Sequence, residues 1–254
     1  MYRRPLEDAC VEDPHAPIAH YLRERRESAG LTRSALGALA GVSPALIQKI
    51  EQGTRSPTLE ALTALCDALG IPDPFRDHLV SLSLSHRYDR PAPVEMAVPE
   101  TELLLLNGFA YPASLQVFPT FDVLAVNEPW ARQFPGLEAG TTLLEWMLLH
   151  PAARSLVVHW ERQIHMSVYS FRVISPGVVP QERIDELVAS CSRAPEWTKL
   201  WTTEPPPPYG IEQPELIVRH VDTGEPTVMA MHNLDFALPR RPWALVAMVP
   251  RPDA

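Results

Sequence analysis

The chain has no surplus of positive charge: 22 Lys and Arg stand against 31 Asp and Glu, a net −9 over 254 residues. That excludes a protein that coats nucleic acid or an anionic surface through bulk charge. The deficit is uneven, −2 over residues 1–99 and −7 over residues 100–254. Phosphate attraction in the first half would therefore rest on a few placed side chains and on helix N-termini. Cysteine is scarce as well. Cys10, Cys66 and Cys191 are odd in number and far apart, which argues against a disulfide framework and suits the reduced thiols of a cytoplasmic protein. No apolar run approaches the ~18 residues of a membrane span, and MYRRPLEDACVEDPHAP lacks the apolar stretch of a secretory signal. The expectation is a cytoplasmic protein without membrane insertion, large enough for two domains.

Catalytic motifs are missing too. There is no G-x-S-x-G nucleophile elbow, no G-x-x-x-x-G-K phosphate loop and no G-x-G-x-x-G fingerprint. His159 and His165 are six residues apart, 240° around a helix, so they cannot share a metal. His220 and His232 fall on neighbouring predicted strands and are expected either to approach each other or to act as separate hydrogen-bonded groups. Cys191 follows Leu187 by one helical turn and reads as a buried thiol rather than a nucleophile. The expectation is a protein that is not an enzyme and holds no cofactor or metal.

What is present begins at Leu31: LTRSALGALAGVSPALIQKIEQGTRSP. Thr32 is placed to cap a helix through Ala40, with Leu36 and Leu39 on one apolar face. Gly41 supplies a turn, where a positive φ is cheap only for glycine. Ser43 caps the next helix, and Pro44 suits its first position because no amide hydrogen is needed there. At 100° per residue Leu46, Ile47 and Ile50 fall on one side, and Ala45, Gln48, Lys49 and Gln52 on the other. Gly53 ends the helix. Such an uncrowded polar face is what a helix entering a DNA groove requires.

Around this stretch, residues 1–14 read as polar and disordered, and 16–29 as an amphipathic helix closed by Gly30. A fourth helix runs from Leu59 to Leu69 on a stripe of Leu59, Leu62, Leu65 and Leu69, and a fifth covers 75–84. Residues 86–99 form a proline-rich linker. All six tryptophans then lie beyond residue 100. A helix over 100–108, strands at 114–118 and 122–127, a short helix capped by Asn127 and a helix over 142–149 follow. The longest periodic segment, 152–174, carries Ala153, Leu156, Val157, Trp160, Ile164, Val168 and Phe171 in one stripe. Helices over 180–192 and 195–201, a rigid loop at 205–208 and strands at 216–221, 227–236 and 243–249 complete the pattern. Strands at both ends with helices between them predict an α+β domain with a mainly antiparallel sheet. The domains are expected at 16–85 and 100–250.

The N-terminal pattern resembles the Cro/repressor-like helix-turn-helix regulators, the XRE family, over residues 17–71. LRERRESAGLT, LA-GVS-xx-I-xx-IE-x-G and Pro57 before an apolar helix carry the resemblance. The five helices read above make an all-α bundle, and the resemblance implies an ion pair between Arg26 and Glu51. It also implies contacts to the DNA backbone from Thr32, Arg33, Gln52, Thr54 and Arg55. Ser43, Pro44, Ala45 and Lys49 take the base-facing positions, with Gln48 beside them. Arg33 stands where glutamine is usual, and Ala35 where glutamate often completes a capping box. Pro44 and Ala45 cannot form bidentate bonds to bases, which leaves base reading to Lys49, Gln48 and apolar contact with thymine methyls.

Residues 101–250 resemble the ligand-binding domain of the MmyB-like regulators, through FDVLAVNEPWARQF, TTLLEWMLLHPAARSLVVHW, APEWTKLW and the final IVRHVDTGEPTVM…LVAMVP. The resemblance implies a PAS-like fold and a small apolar, fatty-acyl-like ligand. Phe118, Phe121, Trp130, Trp146 and Trp160 are candidates to line its pocket, with Arg154 as a carboxylate anchor; the alternative is that the aromatics fill a core and Arg154 binds Glu145 or a carbonyl. Together these readings predict a sequence-specific transcription regulator that binds a double-stranded DNA operator as a homodimer. The alternatives are a protein-interaction module of antitoxin or coactivator type with a helix-turn-helix fold, and an enzyme fused to a DNA-binding domain.

Overall fold

A computed structural model describes residues 16–71, 75, 76, 79, 80, 97–176, 179–205, 215–237 and 239–251. The chain divides into two compact units, the first holding four helices and the second every strand among the described residues.

In the first unit α1 (Ala16–Ser28), α2 (Arg33–Ala40), α3 (Pro44–Glu51) and α4 (Leu59–Ala68) follow one another through short turns. Thr32, Ser43 and Thr58 each cap a helix by accepting the amide N–H three residues on. Gly30 and Gly41 stop α1 and α2 in the left-handed region, both at φ 66°. The core is built from Ile18, Tyr21, Leu22, Leu36, Ile47, Ile50, Leu62, Leu65 and Cys66. Two expected core leucines face outward instead. Leu39, in the last turn of α2, is 64% exposed, and Leu59, at the first position of α4, is 51% exposed. Both sit at a helix end, where the stripe has already turned away from its neighbours. Phe75 and Leu79 are buried, but most of the fifth helix, the N-terminal 14 residues and nearly all of the 86–99 linker lie outside the described residues.

The second unit is built on a five-stranded sheet, β1 (Ala113–Val117), β2 (Asp122–Val126), β3 (Glu215–Arg219), β4 (Pro226–Ala237) and β5 (Arg240–Pro250). Its order is β2-β1-β5-β4-β3, and every ladder is antiparallel. The late hairpin β4–β5 thus inserts between the early hairpin and β3, which brings the two ends of the domain into one sheet. One face packs on α5 (Glu100–Asn107) through Leu106, Ala113, Leu115, Trp243 and Leu245. The other face carries the main core, Val123, Val218, Met229 and Met248. Over that core lie α6 (Glu128–Gln133), α7 (Leu143–Leu149), α8 (Pro151–Leu156), α9 (Trp160–Ile174), α10 (Gln181–Cys191) and α11 (Trp197–Thr202). Buried Asn127 ties the unit together. Its Oδ1 accepts N–H bonds from Ala113 and Trp130, and its Nδ2 donates to the carbonyls of Phe109 and Tyr111.

The periodic segment 152–174 is two helices, not one. Its apolar stripe is buried throughout, but the backbone opens at Val157, which bridges Val218, while the Val158 N–H donates to the Ile217 carbonyl. His159 then turns in the left-handed region at φ 57°. The break covers part of the outer edge of β3, which would otherwise present unpaired backbone groups. The loop expected at 205–208 lies, beyond Pro205, outside the described residues.

Candidate nucleic-acid interface

The α2–turn–α3 segment presents the surface expected to meet DNA. Ser43, Pro44, Ala45, Gln48, Lys49 and Gln52 are all exposed, while Ile47 and Ile50 on the opposite side of α3 are buried. The helix is thus anchored by one face and open on the other. Thr54 and Arg55 are exposed in the turn that follows, where the Thr54 hydroxyl donates to the Lys49 carbonyl. Thr32 is exposed at the start of α2.

Behind this surface lies a buried charge cluster. Arg26 Nε donates to Glu51 Oε1 at 2.6 Å and Arg26 Nη2 to Glu51 Oε2 at 3.1 Å. Nη1 of the same group donates to the Leu31 carbonyl at 2.8 Å, and Nη2 also reaches Glu27. The bond to Glu51 is the main reason the Arg26 guanidinium is held above its ordinary pKa, against the opposing effect of burial. Glu27 is held low, chiefly by its bond from Arg23. Because α1 and α3 share this bidentate pair, their relative angle is fixed by hydrogen bonds as well as by packing. Arg33, expected to turn toward phosphate, also donates from Nε to Glu51 Oε2, at 2.8 Å. Nothing in the spacing of the sequence pointed to that contact.

Sequence reading also passed over Gly37, in the middle of α2. A Cβ there would lie 2.5 Å from the Val42 carbonyl oxygen, so the glycine lets the turn cross the helix closely. A lone glycine inside a helix, where it costs about 1 kcal/mol relative to alanine, was the signal.

In the second unit Trp130, Trp146 and Trp160 come together in the main core, with Phe134 between the first two. Each indole N–H is taken by a backbone carbonyl, of Leu137, Pro135 and Met147 respectively. Arg154 pairs with Glu196 at 2.8 Å and lies 3.8 Å above the Trp160 ring, so its partner is neither Glu145 nor a carbonyl. Phe118 meets Phe121 edge to face at 5.4 Å; the first is exposed, and the second is partly buried against the core. None of these six lines the cleft of about 480 Å³ that opens between α6 and the sheet. Pro112, Pro129, Val218, Val221 and Met229 give it apolar walls, while Glu128, Arg132, Gln133 and His220 add polar and charged groups. Gln133 crosses to the sheet by donating to the Arg219 carbonyl at 2.7 Å.

The histidine pair does not form. Arg219 pairs with Pro226 and Glu215 with Ala230, which sets His220 and His232 at opposite ends of the β3–β4 ladder. Burial pushes the Cys66 thiol up to about 11 and the Cys191 thiol up to about 12, which keeps both protonated and unreactive. Among the described residues no group of three or more His, Cys, Asp or Glu is placed to hold a metal ion, and no helix is long and apolar enough to cross a membrane.

Comparison with known proteins gives two family matches. Residues 17–79 match the model of a helix-turn-helix domain, and residues 98–254 match that of the MmyB-like transcription regulator ligand binding domain. Among solved structures, an HTH_3 family transcriptional regulator from Vibrio cholerae is 31% identical over 31% of this chain and 46% of its own, with a TM-score of 0.26. The chain thus spans a little under half the length of that protein. No curated protein matches.

Proposed function

The chain belongs to the family of the MmyB-like transcription regulator ligand binding domain and carries a helix-turn-helix domain ahead of it, and on that premise we propose that it is a sequence-specific DNA-binding regulator that works as a homodimer and senses a small apolar molecule. The observation that carries the DNA reading is the exposed strip Ala45, Gln48, Lys49 and Gln52 on a helix whose other face is locked into the core. Lys49 and Gln48 supply hydrogen bonds to base edges, and Ala45 supplies apolar contact with thymine methyls. Ser43 and Pro44 lie at the base-facing start of the strip, and Thr32, Arg33, Gln52, Thr54 and Arg55 meet phosphates. With so few base-reading groups per copy, selectivity comes from two copies reading half-sites about one helical turn apart.

The ligand reading attaches to the cleft rather than to the tryptophans, whose polar atoms are already satisfied within the core. Its apolar walls suit a hydrocarbon moiety. Ligand binding alters DNA binding only if the two dimer geometries differ in ligand affinity.

Genome-wide capture of DNA by the full-length protein tests the first reading. Recovery of fragments sharing a near-palindromic site supports it, and fragments without a shared site contradict it. Native mass spectrometry tests the second: a retained molecule of lipid size supports the sensor, whereas a protein that retains no such molecule and binds no added acyl chain contradicts it.

A further inference from the structure

Glu51 is one carboxylate that serves two cations. Its side chain is 1% exposed; Arg26 beside it is nearly as buried, while Arg33 is 39% exposed. Arg26 and Glu51 balance each other, and Glu27 is matched by Arg23. One positive charge therefore remains, and it sits on the open side of Arg33. Among the described residues, Glu51 is the only hydrogen-bond partner of Arg33, and the bond uses Nε. A guanidinium is planar with two forks, and engaging Nε leaves the Nη1/Nη2 fork at the far end free to grip two oxygens at once. Arg33 is also the first residue of α2, beside amides that have no partner within the helix.

We propose that Glu51 is a positioning residue for DNA binding: by accepting the Arg33 Nε–H it aims the Nη1/Nη2 fork outward as a bidentate clamp for one DNA phosphate. The ordering of this long side chain then occurs on folding rather than on binding. The inference rests on the DNA-binding reading above, and it matters here because the first 99 residues carry no net positive charge to attract phosphate.

Positioning and plain electrostatics predict opposite results for Glu51→Gln. Removing a negative charge near DNA should tighten binding if charge alone mattered. Glutamine, however, carries no charge and sets an NH2 donor against an arginine N–H in either orientation, so the three-bond arrangement that supports the clamp is lost. The experiment titrates operator DNA with the full-length wild type, Arg33→Ala, Glu51→Gln and the double variant over a range of salt concentrations. Arg33→Ala is expected to lower the salt slope by about 1. Glu51→Gln is expected to weaken binding about 5- to 10-fold in the wild-type background and less than 2-fold in the Arg33→Ala background. Tighter or unchanged binding by Glu51→Gln, or an equal loss in both backgrounds, overturns the proposal.

Arg33→Lys keeps the test decisive even if Glu51→Gln fails to fold. It preserves the charge and the Arg26–Glu51 pair, but a single ammonium cannot hold Glu51 and present a fork. Affinity close to that of Arg33→Ala supports the clamp, and wild-type affinity overturns it. A wild type that binds no DNA in the same titration instead removes the function on which the clamp depends.

Discussion

Lys49 is the only charged side chain on the exposed strip of α3, flanked by Ala45, Gln48 and Gln52. Replacing it with alanine is expected to weaken operator binding by about 1–3 kcal/mol while leaving binding to random DNA less affected, as read by fluorescence anisotropy on both DNAs. Arg26 has a different role. Its removal leaves Glu51 buried with only Arg33 to answer it, so Arg26→Ala is expected to cost stability near the lower end of the roughly 3–5 kcal/mol typical of broken buried pairs, measured by urea unfolding. The two buried thiols set a pH limit. Each has a folded-state value above the ordinary 9.0, about 11 for Cys66 and about 12 for Cys191. The folded state therefore binds more protons than the unfolded state above pH 9, and stability should fall as pH rises from 9 through 11–12. Replacing both residues with alanine should flatten that fall. At this scale the sequence was only partly readable. Burial of Ile47 and Ile50 followed from periodicity, but the bond from Arg33 to Glu51 joins residues 18 apart, on helices whose separation no spacing rule gives.

Helix boundaries were the most legible feature, because caps are local chemistry. Thr32, Ser43, Thr58, Asn127 and Thr142 all accept the amide bond that a helix start requires. Loss of one such cap, Ser43→Ala, is expected to cost about 1 kcal/mol in denaturant unfolding. The midpoint of α2 gives a sharper expectation. Gly37→Ala would normally favour a helix, yet the new Cβ would meet the Val42 carbonyl oxygen at 2.5 Å. The clash should outweigh the propensity gain and lower stability by about 1–3 kcal/mol, seen as a reduced melting temperature. Where the reading failed, tertiary demands outweighed local pattern. The stripe from Ala153 to Phe171 is continuous in sequence, but Val157 and Val158 leave the helix to pair with β3. Leu39 and Leu59 fit the apolar period but lie at helix ends beyond the reach of the core.

For the whole molecule, two domains of different class were readable from pattern: helical periods fill the first half, and alternating strands occur only in the second, where every tryptophan and most of the negative charge also fall. The strand order β2-β1-β5-β4-β3 was not, because alternation identifies strands without saying which ones pair. The cleft was hidden for the same reason: its lining joins the turn before β1 and α6 to the β3–β4 hairpin more than 80 residues later. The central claim, that two copies read DNA together through α3, is tested most directly on an operator recovered by genomic capture. Inserting five base pairs between its half-sites rotates them by about half a turn relative to each other. Affinity for the full-length protein is expected to fall to that of a single half-site. Unchanged affinity on the lengthened operator would contradict the claim.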